Sequence, residues 1–141
     1  VCDLMTDITP NALLALDGKQ LREAGLSQRK MEYAQGLAKA IVSGQFSPDA
    51  LAKLDDEQAI EEIIRIRGFG RWSAEIYLMF SLQREDVFPT DDLILFTSLQ
   101  RLKGLSERPT LAVARKTIEH WKPYRTAGSL FLWHINQYKD Q

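Results

Sequence analysis

The sequence is poor in the residues that build cross-links and metal sites. Its 141 residues include one cysteine, Cys2, and two histidines. A single cysteine cannot close an internal disulfide, and it excludes a four-cysteine iron–sulfur cluster and a cysteine-rich zinc site. His120 and His134 have no metal-ligating residues at a suitable spacing, so we expect both to be structural. We therefore expect no metal site and no required cofactor.

Long hydrophobic runs are also missing. No apolar run approaches the roughly 20 residues needed to cross a bilayer. The first residues lack the basic and then apolar pattern of a signal peptide. We expect no membrane partner and an intracellular location, in the cytoplasm, the nucleoid or the nucleus. Because the chain begins at Val1 rather than at methionine, we also expect it to be a fragment of a longer protein.

Net charge is close to zero, but the charges are unevenly distributed. The 18 basic and 19 acidic residues give a formal charge of −1, which argues against a protein that simply coats nucleic acid. Residues 49–62 contain six acids against one lysine, whereas residues 101–125 contain seven bases against two acids. Such asymmetry is compatible with one face that binds DNA and also with an ordinary solvated surface.

Apolar residues recur at helical spacing in nearly every segment, which predicts an all-α fold. Helix starts are predicted at Thr9-Pro10, Lys19, Ser27, Ser47-Pro48, Asp55 or Asp56, Thr90 or Asp91, Pro109-Thr110 and Pro123. Helix ends are predicted at Gly25, Gly44 and Gly104. An apolar stripe on the last helix is predicted from Ala127, Phe131, Ile135 and Tyr138. With no linker or repeat, we expect residues 1–141 to form one compact multi-helix domain.

The most informative stretch runs from residue 63 to residue 80 and predicts a helix-hairpin-helix motif at about 57–82. Two apolar helical patterns are separated there by the tight turn Gly68-Phe69-Gly70. Glycines allow the backbone to turn sharply and to approach a phosphate without an obstructing Cβ. The helix that begins near Arg71 adds unpaired N–H groups and a partial positive charge. We name residues 67–71 the phosphate clamp.

Other features of this turn support or qualify that interpretation. Arg65, Arg67 and Arg71 can add Coulomb attraction to a phosphate, and the carbonyl groups of the turn can hold a monovalent cation. A Gly-x-Gly pattern alone is equally typical of a plain turn between two helices. The flanking apolar residues favour the clamp.

Two adjacent carboxylates, Asp91 and Asp92, follow the motif after the sequence Val-Phe-Pro-Thr. A carboxylate in the first turn of a helix is favoured by the helix dipole and by free amides, so ordinary capping explains at least one of the pair. The other can face a groove and stabilise an oxocarbenium ion or activate water. Its position downstream of the clamp favours this chemical role.

Three ordered motifs resemble one family. They are RGFGRWSA, DVFPTDDLIL and HWKPYRTAGSLFLW, and the similarity extends from about Thr9 to Tyr138. The chain resembles the helix-hairpin-helix DNA glycosylases, specifically the alkylated-base branch, 3-methyladenine DNA glycosylase II. The resemblance implies the glycosylase fold, and we expect the N-terminal part of that fold to lie outside this chain. It also implies phosphate and cation contacts from the clamp, which comprises Arg67, Gly68, Phe69, Gly70 and Arg71.

The same resemblance assigns chemical roles to individual residues. The last carboxylate of the pair, Asp92, is implied to be catalytic, with Asp91 as second choice. Trp72 and Trp133 match tryptophans of the aromatic base pocket. The family has a pocket tyrosine where this chain has Ile76, with Tyr77 alongside, so we expect a differently shaped pocket. Electron-rich indole faces attract a cationic base by roughly 0.5–2 kcal/mol each.

One position determines the type of reaction that the resemblance implies. Relatives that also cut the strand carry a lysine where this chain has Trp72, and residues 54–102 contain no lysine. We therefore expect a monofunctional, monomeric enzyme of base excision repair. It would hydrolyse the N-glycosidic bond of alkylated purines such as 3-methyladenine in double-stranded DNA and leave an abasic site. The alternative is a non-catalytic helix-hairpin-helix DNA-binding module in which both aspartates only cap a helix.

Overall fold

A computed structural model describes residues 1–5 and 7–138 of the chain. Within these residues it contains nine α-helices, two short 3-10 turns and no β-strand. The helices are α1 (Pro10–Ala15), α2 (Gly18–Glu23), α3 (Gln28–Val42), α4 (Pro48–Leu51), α5 (Asp56–Ile64), α6 (Arg71–Phe80), α7 (Leu93–Lys103), α8 (Leu111–Thr117) and α9 (Arg125–Asn136). The all-α prediction is confirmed. Among these helices none is both long and apolar enough to cross a membrane.

Most helix starts lie where the capping residues predict them. The capping side chains each accept a hydrogen bond from a backbone N–H of the first turn, and they are Thr9, Asp17, Ser27, Ser47, Asp55 and Thr110. Such bonds satisfy N–H groups that have no partner inside the helix. Gly104 ends α7 in the left-handed conformation, with φ of 63°.

Two predicted starts are wrong. We expected Thr90 or Asp91 to cap α7, but the cap is Asp92, whose Oδ1 accepts from Leu95 N at 3.0 Å. Thr90 is unavailable because its N–H and its hydroxyl both donate to Glu75. We expected α9 to begin at Pro123, but it begins two residues later, at Arg125.

The chain divides into two compact units, Val1–Phe69 and Gly70–Gln141. In the first unit, α1 and α2 pack against α3. Its most deeply buried side chains are Leu21, Ala38, Leu51 and Ala59. That the whole chain forms one domain stays a prediction.

The second unit is built on the packing of α7 against α9. Its core cluster consists of Phe88, Leu95, Phe96, Leu99, Ala114, Ile118 and Leu132. Trp121 packs against this cluster. On α9 the buried residues are Ser129 and Leu132, whereas Phe131 and Tyr138 of the predicted apolar stripe are exposed.

The loop that leads to Asp92 is attached to the start of α9. Thr126 Oγ1 donates to Arg84 O at 2.7 Å and accepts from Val87 N at 3.0 Å. Asp86 accepts two charged hydrogen bonds from the guanidinium of Arg125, at 2.6 and 2.9 Å. These contacts fix the first half of the loop, residues 84–87, on the second unit.

We predict that Asp86→Asn destabilises the protein at neutral pH by about 1 kcal/mol, because it replaces a charged pair that is largely shielded from solvent. Hydrogen bonds from Arg125 hold the pKa of Asp86 below its ordinary value of 3.8. The stabilisation is therefore present above the ordinary pKa and is lost as the pH falls through the pKa of the folded state. Urea unfolding of variant and wild type, at neutral pH and in acid, measures this difference.

The matched control is Glu119→Gln, which removes the charge of an exposed ion pair with Lys122. We expect it to have little effect at either pH. An Asp86→Asn deficit that persists undiminished in acid would contradict the assigned cause.

Candidate active site

Gly68 lies in the turn that follows α5 and has a backbone that other residues adopt only with strain. Its φ is +97°, in the region that favours glycine. A Cβ at this position would overlap the ring of Tyr33, which lies on α3 in the same unit. A hydrogen bond from Phe69 N to Ile66 O, at 3.1 Å, closes the turn. Both the conformation and the space therefore require glycine here.

Gly70 begins the second unit and is the N-cap of α6, the helix of Arg71–Phe80. Among the described residues no side chain caps this helix end. A Cβ on Gly70 would meet nothing within 4 Å. The first turn of a helix carries N–H groups that its own carbonyls do not satisfy, as the phosphate-clamp hypothesis requires.

Two of the three arginines near the turn form ion pairs with glutamates. Arg65 pairs with Glu62 at 2.5 Å, and Arg71 pairs with Glu75 at 3.1 Å. Arg67 is exposed, and no ion-pair partner for it is found within residues 1–5 and 7–138. Positive charge around the clamp is thus partly neutralised by the protein itself.

Asp92 is almost buried, with 9% of its surface exposed. Its Oδ1 accepts from Leu95 N at 3.0 Å, and its Oδ2 accepts from the indole Nε1 of Trp72 at 3.1 Å. Each carboxylate oxygen therefore has an N–H donor. Asp91, the second choice, is exposed. The structure thus places Asp92, and not Asp91, in contact with a residue of α6.

Trp72 contributes more than the aromatic face that the sequence predicts. It is the second residue of α6, its side chain is 43% exposed, and its indole N–H orients Asp92. A base stacked on this indole would lie beside the carboxylate. The hydrogen bond joins residues 20 positions apart, and no local pattern of the sequence predicts it.

The other predicted pocket residues follow α6 toward its end. Ile76 is half-buried, lies one turn beyond Trp72 and has Tyr77 beside it. Trp133 stacks on Phe80, with ring centroids 6.2 Å apart. Phe80 lies eight residues beyond Trp72, or about 12 Å along a helix. Trp133 is thus beside the far end of α6, and its place in a base pocket stays a prediction.

Glu75 was missed by the sequence analysis. It is a carboxylate on α6 that is only 3% exposed. Burial raises its pKa, against the opposing effects of hydrogen bonds from Thr90 and the charge of Arg71. The available signal was an acid between Ala74 and Ile76, inside an apolar stretch and four residues after an arginine.

No group of three or more metal-ligating side chains is found among the described residues. His120 and His134 are exposed and make edge contacts with the rings of Trp121 and Tyr138.

Residues 1–123 match the HhH-GPD superfamily of base excision DNA repair proteins. The chain belongs to this superfamily. The helix-hairpin-helix glycosylase fold predicted from the sequence is therefore confirmed.

Several of the similar proteins are named as 3-methyladenine DNA glycosylases. The chain is 35% identical to DNA-3-methyladenine glycosylase 1 of Schizosaccharomyces pombe over 94% of its own length and 58% of the relative. The solved structure of 3-methyladenine DNA glycosylase (Mag1) from S. pombe, in complex with abasic DNA, matches with a TM-score of 0.84 and 34% identity. That match covers 94% of this chain and 65% of the other.

A second solved structure agrees with the first. The DNA-3-methyladenine glycosidase of Bacillus halodurans matches with a TM-score of 0.80 and 32% identity, over 91% of this chain and 59% of that one. This superfamily member therefore spans roughly three fifths of the length of the relatives that it matches.

For the clamp of this superfamily member, we predict that Gly68→Ala is destabilising and that Gly70→Ala is not. The first change imposes a left-handed backbone on alanine, at a cost of at least about 1 kcal/mol, and also displaces Tyr33. The second adds a methyl group to open space at a φ of −102°. Thermal unfolding of the two variants measures the difference, and equal midpoints would contradict the assigned role of Gly68.

Proposed function

We propose that this protein is a monofunctional DNA glycosylase of base excision repair. It hydrolyses the N-glycosidic bond of alkylated purines such as 3-methyladenine and leaves an abasic site. The observation that carries the proposal is the hydrogen bond between Trp72 and Asp92, because it places a carboxylate beside an exposed aromatic face. The names of the relatives support the same activity.

The reaction needs only one carboxylate. An N-alkylated purine is cationic, so it departs as a neutral base with the electron pair of the glycosidic bond and needs no proton from an acid. This differs from the paired carboxylates of ordinary glycoside hydrolysis. Asp92 stabilises the positive charge that develops at C1′, water attacks that carbon, and the proton that the water loses passes to solvent. The product is an abasic sugar.

Base selection depends on the exposed side of α6. The target nucleotide is extruded from the duplex, and its base stacks on the indole of Trp72. Cation–π attraction favours a charged base by roughly 0.5–2 kcal/mol. Ile76, Tyr77 and Trp133 line the remainder of the base pocket in this proposal.

Strand cleavage through a Schiff base is not part of the proposed activity. That chemistry requires an amine beside the sugar, and Trp72 occupies the position that carries a lysine in the strand-cutting relatives. Residues 54–102 contain no lysine. The enzyme is therefore proposed to release the base without breaking the strand.

The partner is double-stranded DNA that contains alkylated bases, bound by a monomer. The open N-terminus of α6 and the backbone of Gly68, Phe69 and Gly70 hold a phosphate, and Arg67 and Arg71 contribute charge. A monovalent cation is proposed to bind the carbonyl groups of the same turn, none of which, from 67 to 69, accepts a backbone hydrogen bond in the described residues. An enzyme with this substrate works in a compartment that holds DNA.

One observation favours the alternative function, a non-catalytic DNA-binding module. Asp92 is itself the cap of α7, and capping alone is sufficient reason for an aspartate there. The module would bind DNA through the clamp and would release no base.

Asp92→Asn separates the two functions. Asparagine can still accept from Leu95 N and cap α7, but it cannot offset the charge that develops on the sugar. We expect base release from methylated duplex DNA, measured in single turnovers, to fall by about 10²-fold or more. Binding to a duplex with a tetrahydrofuran abasic-site analogue should persist.

Asp91→Asn makes the same chemical change at the exposed neighbour and should leave most of the release intact. Unchanged release in Asp92→Asn would exclude the proposed role of this carboxylate. If the wild type bound the analogue but released no base, the module would be the better description.

Trp72→Phe tests the two roles of the indole separately. Phenylalanine keeps an aromatic face but cannot donate to Asp92, so we expect release to slow by roughly tenfold, the effect of losing one hydrogen bond to a charged group. Trp72→Ala removes both contributions and should be slower still. The control Trp121→Phe alters a core tryptophan and should change the unfolding midpoint more than the release rate. Equal release by Trp72→Phe and wild type would refute the orienting role.

A further inference from the structure

A buried carboxylate connects the start of α6 to the segment that presents Asp92. Glu75 Oε2 accepts from Thr90 N at 2.8 Å and from Thr90 Oγ1 at 3.2 Å. Its Oε1 accepts from Arg71 Nε at 3.1 Å. All of these residues belong to the second unit. One side chain therefore contacts both the clamp arginine and the chain two residues before Asp92.

We infer that Glu75 is a positioning residue for Asp92, holding Thr90 against α6 so that the carboxylate meets the indole of Trp72 in a fixed geometry. This inference rests on the proposed function, since Asp92 must be the catalytic group for its position to matter. Glu75 itself does not touch the reacting atoms.

The contacts of the loop before Asp92 explain why the position of Thr90 matters. The first half of the loop is tied to α9 through Thr126 and through Ser129, whose hydroxyl donates to Val87 O at 3.2 Å. Phe88 and Pro89 are then buried. Thr90 is the last anchored residue before Asp92, and both of its donors go to the same oxygen of Glu75.

The burial of Glu75 favours a role in positioning the Thr90–Asp92 segment over a role in stabilising the fold. Burying a carboxylate carries a desolvation cost, and well-packed apolar replacements of buried charges are often neutral or stabilising. A leucine at position 75 would avoid that cost but would leave the N–H of Thr90 without its acceptor. What the carboxylate provides is a defined position for the Thr90–Asp92 segment.

The decisive experiment compares variants of the full-length protein in single-turnover base release from methylated duplex DNA and in binding to the abasic-site analogue. We expect Glu75→Ala to slow release by about 10²-fold, the usual effect of a displacement near 1 Å in an active site. Its affinity for the analogue should not fall, because Arg71 is retained and loses only the carboxylate that neutralises it. Glu75→Gln retains an oxygen for Thr90 and turns an NH₂ group toward Arg71, so it should keep most of the release rate.

Release that is as slow in Glu75→Gln as in Glu75→Ala would overturn the inference, because the contact with Thr90 would then be irrelevant. The matched control Glu119→Ala removes an exposed glutamate of the same unit and should behave as wild type.

A double-mutant cycle distinguishes positioning from general damage to the fold. If Glu75 acts through Asp92, adding Glu75→Ala to Asp92→Asn should cause no further loss of release. A full additional loss on that background would overturn the inference. If Asp92→Asn alone left release unchanged, the proposed function would fail instead, so the two failures are distinguishable.

Thr90→Val keeps the inference testable if Glu75→Ala does not fold. Valine removes one of the two donors to Glu75, and we expect release to slow by about fivefold. Thr117→Val is the matched control, because the hydroxyl of Thr117 donates to Val113 O within its own helix, α8. Equal release by these two variants would contradict a positioning role.

Discussion

The hydrogen bond from the indole of Trp72 to Asp92 is the contact on which the candidate active site depends. It joins the helix that begins at the clamp to the helix that Asp92 caps, across 20 residues of sequence. Its direction also matters. The N–H of the exposed Trp72 ring points at the Asp92 carboxylate. A base stacked on that ring would therefore have a negative charge beside its sugar. Without this contact, the second unit would offer a helix cap and a separate exposed tryptophan.

Capping and the proposed catalytic role, which are competing explanations for an aspartate pair in the sequence, fall on the same residue. Asp92 uses Oδ1 for the helix and Oδ2 for the indole. A cap is a suitable place for a catalytic carboxylate, because its backbone is fixed and the helix dipole favours negative charge. Asp91, which neither caps α7 nor bonds to Trp72, is left exposed to solvent. The geometry thus gives a physical reason to prefer the second aspartate.

Local signals predicted much of the fold, and tertiary contacts account for what they missed. Caps such as Thr9 and Ser27 act within one helical turn and are visible in sequence. Thr90 was expected to cap α7 because its hydroxyl suits that role locally, but Glu75, 15 residues earlier, holds it. Helical spacing on α9 likewise predicted an apolar stripe through Phe131. The residues that this helix buries are instead Ser129 and Leu132, and the helix packs against α7. Periodicity identifies a helix more readily than the face that it buries.

Charge pairing around the turn bears on how a protein of net charge −1 would bind the proposed DNA substrate. Arg65 and Arg71 each pair with a glutamate, so much of the local positive charge is neutralised. The start of α6 has no side-chain cap among the described residues. The N–H groups and the dipole at such a helix end attract an anion at short range. Attraction of this kind depends on contact rather than on long-range charge. It therefore suits the proposed function, in which one phosphate is positioned beside Asp92, and a uniformly basic surface would not provide that precision.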